Sequence, residues 1–247
     1  MISSHGVTDA GCVRNKNEDR IFLNEDLGIF IISDGMGGHT HGEIAAELAT
    51  STMQHYLESS QDRLDITWPF GYNFELSVDA NRLATAIQLA NRQVWKQAEK
   101  APEYSGMGTT IAAAIVNGSK LTVGNVGDSR VYHWHDGSLL QVTIDDTWVN
   151  AISGRDGPKI NVPRNLLTQA AGTKDMVDVH TSEIEVDEGD LVLLCSDGLY
   201  SLVPDQEIAA SLNAGMSLSA TAAELLRAAK SAGGDDNISI ILLKPEE

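Results

Sequence analysis

Four short segments set aspartates beside glycines: Ser33-Asp34-Gly35-Met36-Gly37-Gly38, Gly127-Asp128-Ser129-Arg130, Ser196-Asp197-Gly198 and Gly233-Gly234-Asp235-Asp236-Asn237. The first three follow apolar runs that read as β-strands, and the last leads into one. An acidic side chain at a strand end can point into a shared cleft, and a neighbouring glycine lets a carbonyl or ligand come close. Carboxylates drawn from distant segments make a hard, oxygen-rich site suited to Mg²⁺ or Mn²⁺. A lone Asp-Gly is ordinarily a turn, and Asp136-Gly137, between two strand-like runs, reads as one. Ser33-Asp34-Gly35 and Ser196-Asp197-Gly198 differ because they are near-copies closing strongly apolar strands. An aspartate buried there without a cation or basic partner carries a large desolvation cost.

The stretch Arg14-Asn15-Lys16-Asn17-Glu18-Asp19-Arg20 reads either as a solvated turn or as part of the same site. In the second reading Arg14 clamps a phosphate through its guanidinium, and Glu18 and Asp19 add carboxylates to the cluster. His39-Thr40-His41 has the spacing of a zinc pair, but the other histidines (His5, His55, His133, His135, His180) form no matching set. His39 is therefore read as a polar residue facing the cleft, and His41 as a surface residue. Neither GxGxxG nor a Gly-Lys-Ser/Thr loop occurs, nor a GxSxG elbow. Cys195 sits inside an apolar run and reads as a buried thiol, so covalent catalysis has little support.

The elements that must position these groups follow from periodicity. Strands fit residues 3–9, 20–24 and 28–33. Helices fit 42–57, with Ile44, Ala45, Leu48, Ala49, Thr52 and Tyr56 on one face, and 79–99, with Leu83, Ile87, Ala90, Val94 and Ala98. Residues 60–77, carrying Trp68-Pro69-Phe70-Gly71-Tyr72, read as a loop that packs its own aromatics. Strands at 109–116, 120–126, 129–134 and 139–142 are joined by Asn117-Gly118 and Asp136-Gly137, dipeptides suited to hairpins. Residues 144–165 read as an irregular flap. Strands at 178–186 and 190–196, helices at 205–213 and 218–231, and a strand at 238–243 complete the chain. This order is not a βαβ alternation; it implies an α+β domain of two antiparallel sheets with helix pairs outside. No repeat or linker divides it, so residues 1–247 read as one domain.

A formal charge of −18 opposes a nucleic-acid partner, because phosphate backbones require a basic surface. No apolar run is long enough to span a membrane, and no signal sequence is visible. With Cys12 and Cys195 in no metal-binding spacing, a reducing cytoplasm is the expected location.

Taken in order, the segments resemble the metal-dependent protein serine/threonine phosphatases of type 2C (the PPM family) in its compact bacterial form. The resemblance runs through Thr8 to Arg14, Asn17-Glu18-Asp19, Ser33 to His39, Gly108-Thr109-Thr110 and Asn125 to Arg130. It continues through Leu166 to Gly172, Ser196 to Leu199 and Asp236-Asn237-Ile238-Ser239. It implies a four-layer α-β-β-α sandwich with a binuclear Mn²⁺ or Mg²⁺ centre at one end. By resemblance, Asp34 bridges both ions and Gly35 offers its carbonyl to one, while Asp197 and Asp236 hold the other. Asp128 matches a third, weaker site, and Arg14 the phosphate-binding arginine. Glu18 and Asp19 match nearby carboxylates, and Asn237 supports the cluster from behind. The implied reaction is attack of a metal-activated water on phosphoserine or phosphothreonine, without a phosphoenzyme.

Two departures bear on this. Where many relatives carry a histidine after Asp-Gly, this chain has Met36, leaving His39 or a water as candidate proton donor. Where Asp-His commonly precedes the flap, it has Asp145-Asp146-Thr147-Trp148. The partners implied are phosphorylated proteins and, by analogy, a cognate Ser/Thr kinase, served by a monomer. A catalytically silent phosphoprotein-binding module and a hydrolase of small phosphoesters remain as alternatives.

Overall fold

The computed structural model describes residues 2–37, 41–61, 66–153 and 166–246. The chain opens with β1 (Ile2–Asp9), β2 (Arg20–Asn24), β3 (Ile29–Ser33) and the short β4 (Gly35–Met36), followed by α1 (His41–Ser59) and α2 (Val78–Ala98). A single 3₁₀ turn at Pro102–Tyr104 leads into β5 (Gly108–Thr109), β6 (Ile111–Asn117), β7 (Lys120–Val126), β8 (Arg130–His135) and β9 (Ser138–Gln141). The short α3 (Trp148–Ser153), β10 (His180–Glu185), β11 (Leu191–Cys195) and α4 (Asp197–Tyr200) follow. Then α5 (Asp205–Asn213), α6 (Leu218–Ser231) and β12 (Ile238–Pro245) end the fold.

Two five-stranded antiparallel sheets, ordered β1-β12-β11-β8-β9 and β10-β7-β6-β3-β2, pack face to face. Strand alternation explains the layering. In β3, Phe30 and Ile32 turn to the neighbouring sheet, while Ile29 and Ile31 turn to α1 and α2. In β12, Ile241 and Leu243 enter the layer between the sheets, while Ile240 and Leu242 meet the helices of the other flank. Strands buried on both faces need no polar alternation, which is why these runs are continuously apolar. The expected α-β-β-α order is therefore met.

Helices α2 and α6 each combine one apolar stripe with a serine cap. Leu83, Ile87, Ala90 and Val94 of α2 are fully buried against the second sheet. Ser77 Oγ caps α2 by accepting from the Ala80 amide at 3.1 Å, and Ser217 Oγ does the same for α6 from Ala220 at 3.3 Å. Gly124 lets α2 approach β7 closely; a Cβ there would lie 2.9 Å from Leu83 Cγ.

Several local expectations are met or shifted. Trp68, Tyr72 and Phe74 form an edge-to-face ladder with centroids 5.0 and 5.1 Å apart, as expected of the aromatic loop. Asp136-Gly137 is the two-residue turn between β8 and β9, both residues at positive φ (47° and 80°). The turn between β6 and β7 lies one residue later than Asn117-Gly118. Asn117 still pairs with Lys120, and Gly118-Ser119 forms the bend with Gly118 at φ 61°. His41 is half-covered rather than a surface residue, its ring edge-on to Tyr104 at 5.2 Å. Part of the flap expected at 144–165 is ordered as α3, whereas residues 154–165, like His39, lie outside the described residues.

The sandwich centre should be the most sensitive point to truncation. Ile241→Ala removes a fully buried side chain between the sheets and should cost about 2–5 kcal/mol, read as a lowered midpoint in urea denaturation.

Candidate metal centre

Antiparallel pairing brings the acidic segments to one end of the sandwich. The end of β11 lies beside the starts of β8 and β12, through Cys195 opposite Arg130 and Ile240, and β12 begins opposite Asp9 of β1. Asp128, Asp197, Asp236 and the Arg14–Asp19 loop therefore share this end. Asp34 follows β3 directly, and Gly35 belongs to β4. Asp197 differs from expectation in one respect: it opens the short helix α4 rather than a glycine turn.

Each group is held from behind. The Asp34 amide donates to Thr110 Oγ1 at 3.2 Å, and its carbonyl accepts from the Thr110 amide and Thr109 Oγ1, both at 2.8 Å. At Gly35, a Cβ would sit 2.1 Å from the Gly42 carbonyl oxygen and 2.6 Å from that of Glu18, so no side chain fits. Asn237 Oδ1 accepts from the Glu18 amide at 2.8 Å, and its Nδ2 donates to the Ala10 and Lys16 carbonyls at 3.2 and 2.8 Å. Asn237 thus ties the Arg14–Asp19 loop to the start of β12. Arg14 Nη2 donates to Asp236 Oδ2 at 2.8 Å, with the guanidinium still largely exposed.

Asp19 is the most deeply placed carboxylate, 1 % exposed. Its Oδ2 accepts from Ser196 Oγ at 2.9 Å and Ser239 Oγ at 2.6 Å, while its buried Oδ1 has no hydrogen-bond partner. An orphaned buried carboxylate oxygen is costly unless a cation answers it.

Charge crowding marks the whole group. Burial, and then the Asp19, Asp197, Asp128 and Asp236 charges, push the Asp34 carboxyl well above its ordinary range. Burial, reinforced by Asp128, Asp236 and Asp19, pushes Asp197 up to about 7. Burial likewise raises Asp19 to about 6, against the serine hydrogen bonds, and Asp128 to about 6, against Tyr200. Glu18 is raised by burial, with Arg14 opposing. A set of oxygen donors with this mutual repulsion fits hard divalent cations such as Mg²⁺ or Mn²⁺. Among the described residues, no three of these carboxylates bring oxygens within 4.8 Å of one another. Asp128, Asp197 and Asp236 border a cleft rather than one point, and Asp19 and Asp34 are not part of its lining.

That cleft, about 510 Å³, is lined by Asp128, Asp197 and Asp236 and also by Arg130, Asp145 and Tyr200. Of the last three, Tyr200 was not singled out from sequence, and Arg130 and Asp145 were noted there without a role in the site. Arg130 pairs with Asp145 (Nη2 to Oδ2, 2.7 Å) and stacks on the Tyr200 ring at 3.6 Å, and the Tyr200 hydroxyl donates to the Asp128 carbonyl at 2.9 Å. Asp146, next in the Asp-Asp departure, takes the Gly127 amide on Oδ2 at 2.9 Å and His180 Nε2 on Oδ1 at 2.8 Å. Asp146 thus braces the Gly127–Asp128 turn, and Asp145 holds Arg130 just beyond it. Arg130 stood in view inside Gly127-Asp128-Ser129-Arg130, but nothing in a sequence pairs it with residues 15 and 70 positions away. Two of the other histidines, His133 and His135, meet each other at Asp190 on a different part of the fold.

A two-sheet sandwich flanked by helices, with an acidic cleft at one end and an arginine on its rim, defines a class of metal-dependent hydrolase folds. The sequence profile described as Protein phosphatase 2C matches residues 14–239, and the chain belongs to that family. It is 36 % identical over 251 residues to the serine/threonine phosphatase stp of Listeria welshimeri, covering 96 % of this chain and 93 % of that one. It is 34 % identical over 239 residues to the serine/threonine protein phosphatase PstP of Mycobacterium tuberculosis, matching 95 % of this chain but 43 % of that longer protein. The crystal structure of M. tuberculosis PstP/Ppp aligns with a TM-score of 0.83 at 31 % identity, covering 100 % of this chain and 99 % of that one. A PstP catalytic domain in complex with two manganese ions aligns at 0.81 and 31 % identity, covering 98 % and 97 %.

The crowding has a pH signature. These carboxyls are raised in the folded state, so the folded protein keeps protons that the unfolded chain has released. Chelator-treated protein should therefore lose stability as pH rises from about 3.8 through about 7, the span from an ordinary aspartate to Asp197. Asp34→Asn should flatten that loss and raise the melting temperature above neutral pH by roughly 2–4 °C for each kcal/mol of repulsion relieved. Thermal unfolding across this pH range in EDTA checks both.

Proposed function

We propose that this chain is a metal-dependent protein phosphatase that hydrolyses phosphoserine and phosphothreonine, as the names of its relatives suggest. The observation that carries the proposal is the gathering of Asp19, Asp34, Asp128, Asp197 and Asp236 at one end of the sandwich with Arg14 at the rim. The proposed ligands of two Mn²⁺ or Mg²⁺ ions are Asp34, the Gly35 carbonyl, Asp197 and Asp236, with Asp128 serving a third, weaker ion. Bound there, the ions would supply a water acidified toward neutral pH and positive charge to offset the phosphoryl oxygens.

The chain's own residues do the rest. Arg14 commits one of its five guanidinium donors to Asp236. The others are suited to phosphoryl oxygens, so that Arg14 orients the phosphate over the aspartates and stabilises charge on its equatorial oxygens. Its bond to Asp236 ties phosphate binding to the ligand set. Asp19 holds the strand ends together through Ser196 and Ser239 and adds negative charge behind the ions. Glu18 stands beside Arg14 and Gly42; Asn237 fixes the loop that carries both Arg14 and Glu18. Met36 has no proton to give a leaving alkoxide, and His39 and a cleft water are the candidates for that step. The single-domain reading of residues 1–247, the monomer, the cytoplasmic location and a cognate kinase in a signalling pair belong to the same proposal. Support for a protein-sized substrate is the place of Arg14 at the molecular surface, its side chain 55 % exposed.

Phosphate release from a phosphothreonine peptide should require added Mn²⁺ and stop in EDTA. Asp34→Asn or Asp236→Ala should abolish it, and Arg14→Ala should lower kcat/KM about 100-fold with metal binding retained. Full activity in either aspartate variant, or activity indifferent to EDTA, would sink the proposal. Turnover confined to small phosphoesters would remove the protein substrate and leave the chemistry.

A further inference from the structure

At the end of the sandwich away from the acidic cleft, two histidines converge on a buried aspartate. His133 and His135 are two apart on β8 and so point to the same face. Their rings lie 5.9 Å apart, tilted by 37°. Asp190 immediately precedes β11, whose Leu191 pairs with Trp134, and this register sets the carboxylate between the rings. Asp190 Oδ2 meets His133 Nε2 at 2.6 Å, and Oδ1 meets His135 Nδ1 at 2.6 Å. The carboxylate is only 3 % exposed, and among the described residues no lysine or arginine is paired with it.

The three ligand atoms lie within 4.8 Å of one another, the one such cluster of histidine, cysteine and acidic residues among those described. Two imidazoles and one carboxylate leave coordination positions open to water on the exposed side of His135. A further feature points the same way. His135 presents Nδ1 to the cluster while its Nε2 faces Asp136 Oδ2 at 3.6 Å. A metal-bound histidine ordinarily has a carboxylate or carbonyl behind its second nitrogen, which fixes the ring and raises its basicity. The Asp187 amide, donating to Asp190 Oδ2 at 2.9 Å, holds the carboxylate in place.

We propose that His133, His135 and Asp190 form a second metal site, selective for Zn²⁺ and separate from the cleft. Imidazole nitrogen favours zinc over Mg²⁺ and Mn²⁺, which prefer an all-oxygen set. Separation follows from the strand itself: β8 starts at Arg130 on the cleft and reaches His135 roughly 16 Å further on, at about 3.3 Å per residue. The ion would join the β8–β9 hairpin to the turn before β11, tying two neighbouring strands of the first sheet together. The site does not depend on the phosphatase reading.

The test is a zinc titration of the full chain, stripped of metal and then held in excess Mg²⁺ so that the acidic cleft is occupied. The wild type should take up one more Zn²⁺ than His133→Gln or His135→Gln, and the affinity of this extra site should fall by at least about 100-fold in each variant. Mg²⁺-supported phosphatase activity should be unchanged in both variants, which also reports that they fold. His135 is half-exposed, so His135→Gln carries the comparison if His133→Gln fails to fold. In the wild type, the ring signals of His133 and His135 in NMR should shift with the first zinc equivalent bound. Equal zinc uptake by wild type and His135→Gln, or ring signals that zinc does not move, would overturn the proposal and leave Asp190 as a hydrogen-bonded clamp.

Discussion

Mutual repulsion among carboxylates at one end of the sandwich is the constraint on which the rest of the structure depends. Burial and neighbouring carboxylates raise Asp19 and Asp128 to about 6 and Asp197 to about 7, and push Asp34 well above its ordinary range. A fold can hold such a group only if everything around it is strong enough to resist relaxation. The two sheets supply that rigidity through continuously apolar strands buried on both faces, and Thr109, Thr110, Ser196, Ser239 and Asn237 fix the backbone and side chains of the cluster by hydrogen bonds. Repulsion held in place in this way is what a divalent cation relieves on binding, so the cost to the metal-free fold becomes affinity for the ion.

Much of this was legible in the sequence because the signals were local. Leu83, Ile87, Ala90 and Val94 announce a helix by spacing, and 29–33 and 191–195 announce buried strands by unbroken apolar content. The aspartates could be found because glycine accompanies them and because their order matches a family pattern. Their common location was not readable from spacing alone. It follows from the pairings of β12 with β11 and with β1, the second of which joins residues more than 200 positions apart.

What escaped the sequence depends on contacts at long range or on register. The Gly118-Ser119 bend differs from Asn117-Gly118 by one residue because Asn117 is retained in the ladder opposite Lys120. Arg130 pairs with Asp145 and stacks on Tyr200, contacts that no local spacing announces. The His133–His135–Asp190 cluster depends on the same kind of closure. Histidines two apart on a strand carry no signal until the register of β11 against β8 delivers a carboxylate between them. The first sheet thus carries different chemistry at its two ends, carboxylate oxygen at one and imidazole nitrogen at the other.

The central claim is that the crowded aspartates are a site for two hard cations. Anomalous diffraction from crystals of this chain grown with Mn²⁺ tests it most directly. Two strong manganese peaks are expected among the aspartates, both within bonding distance of Asp34, with Asp197 and Asp236 on one of them. Manganese absent from these aspartates, or bound without contact to Asp34, would contradict the claim.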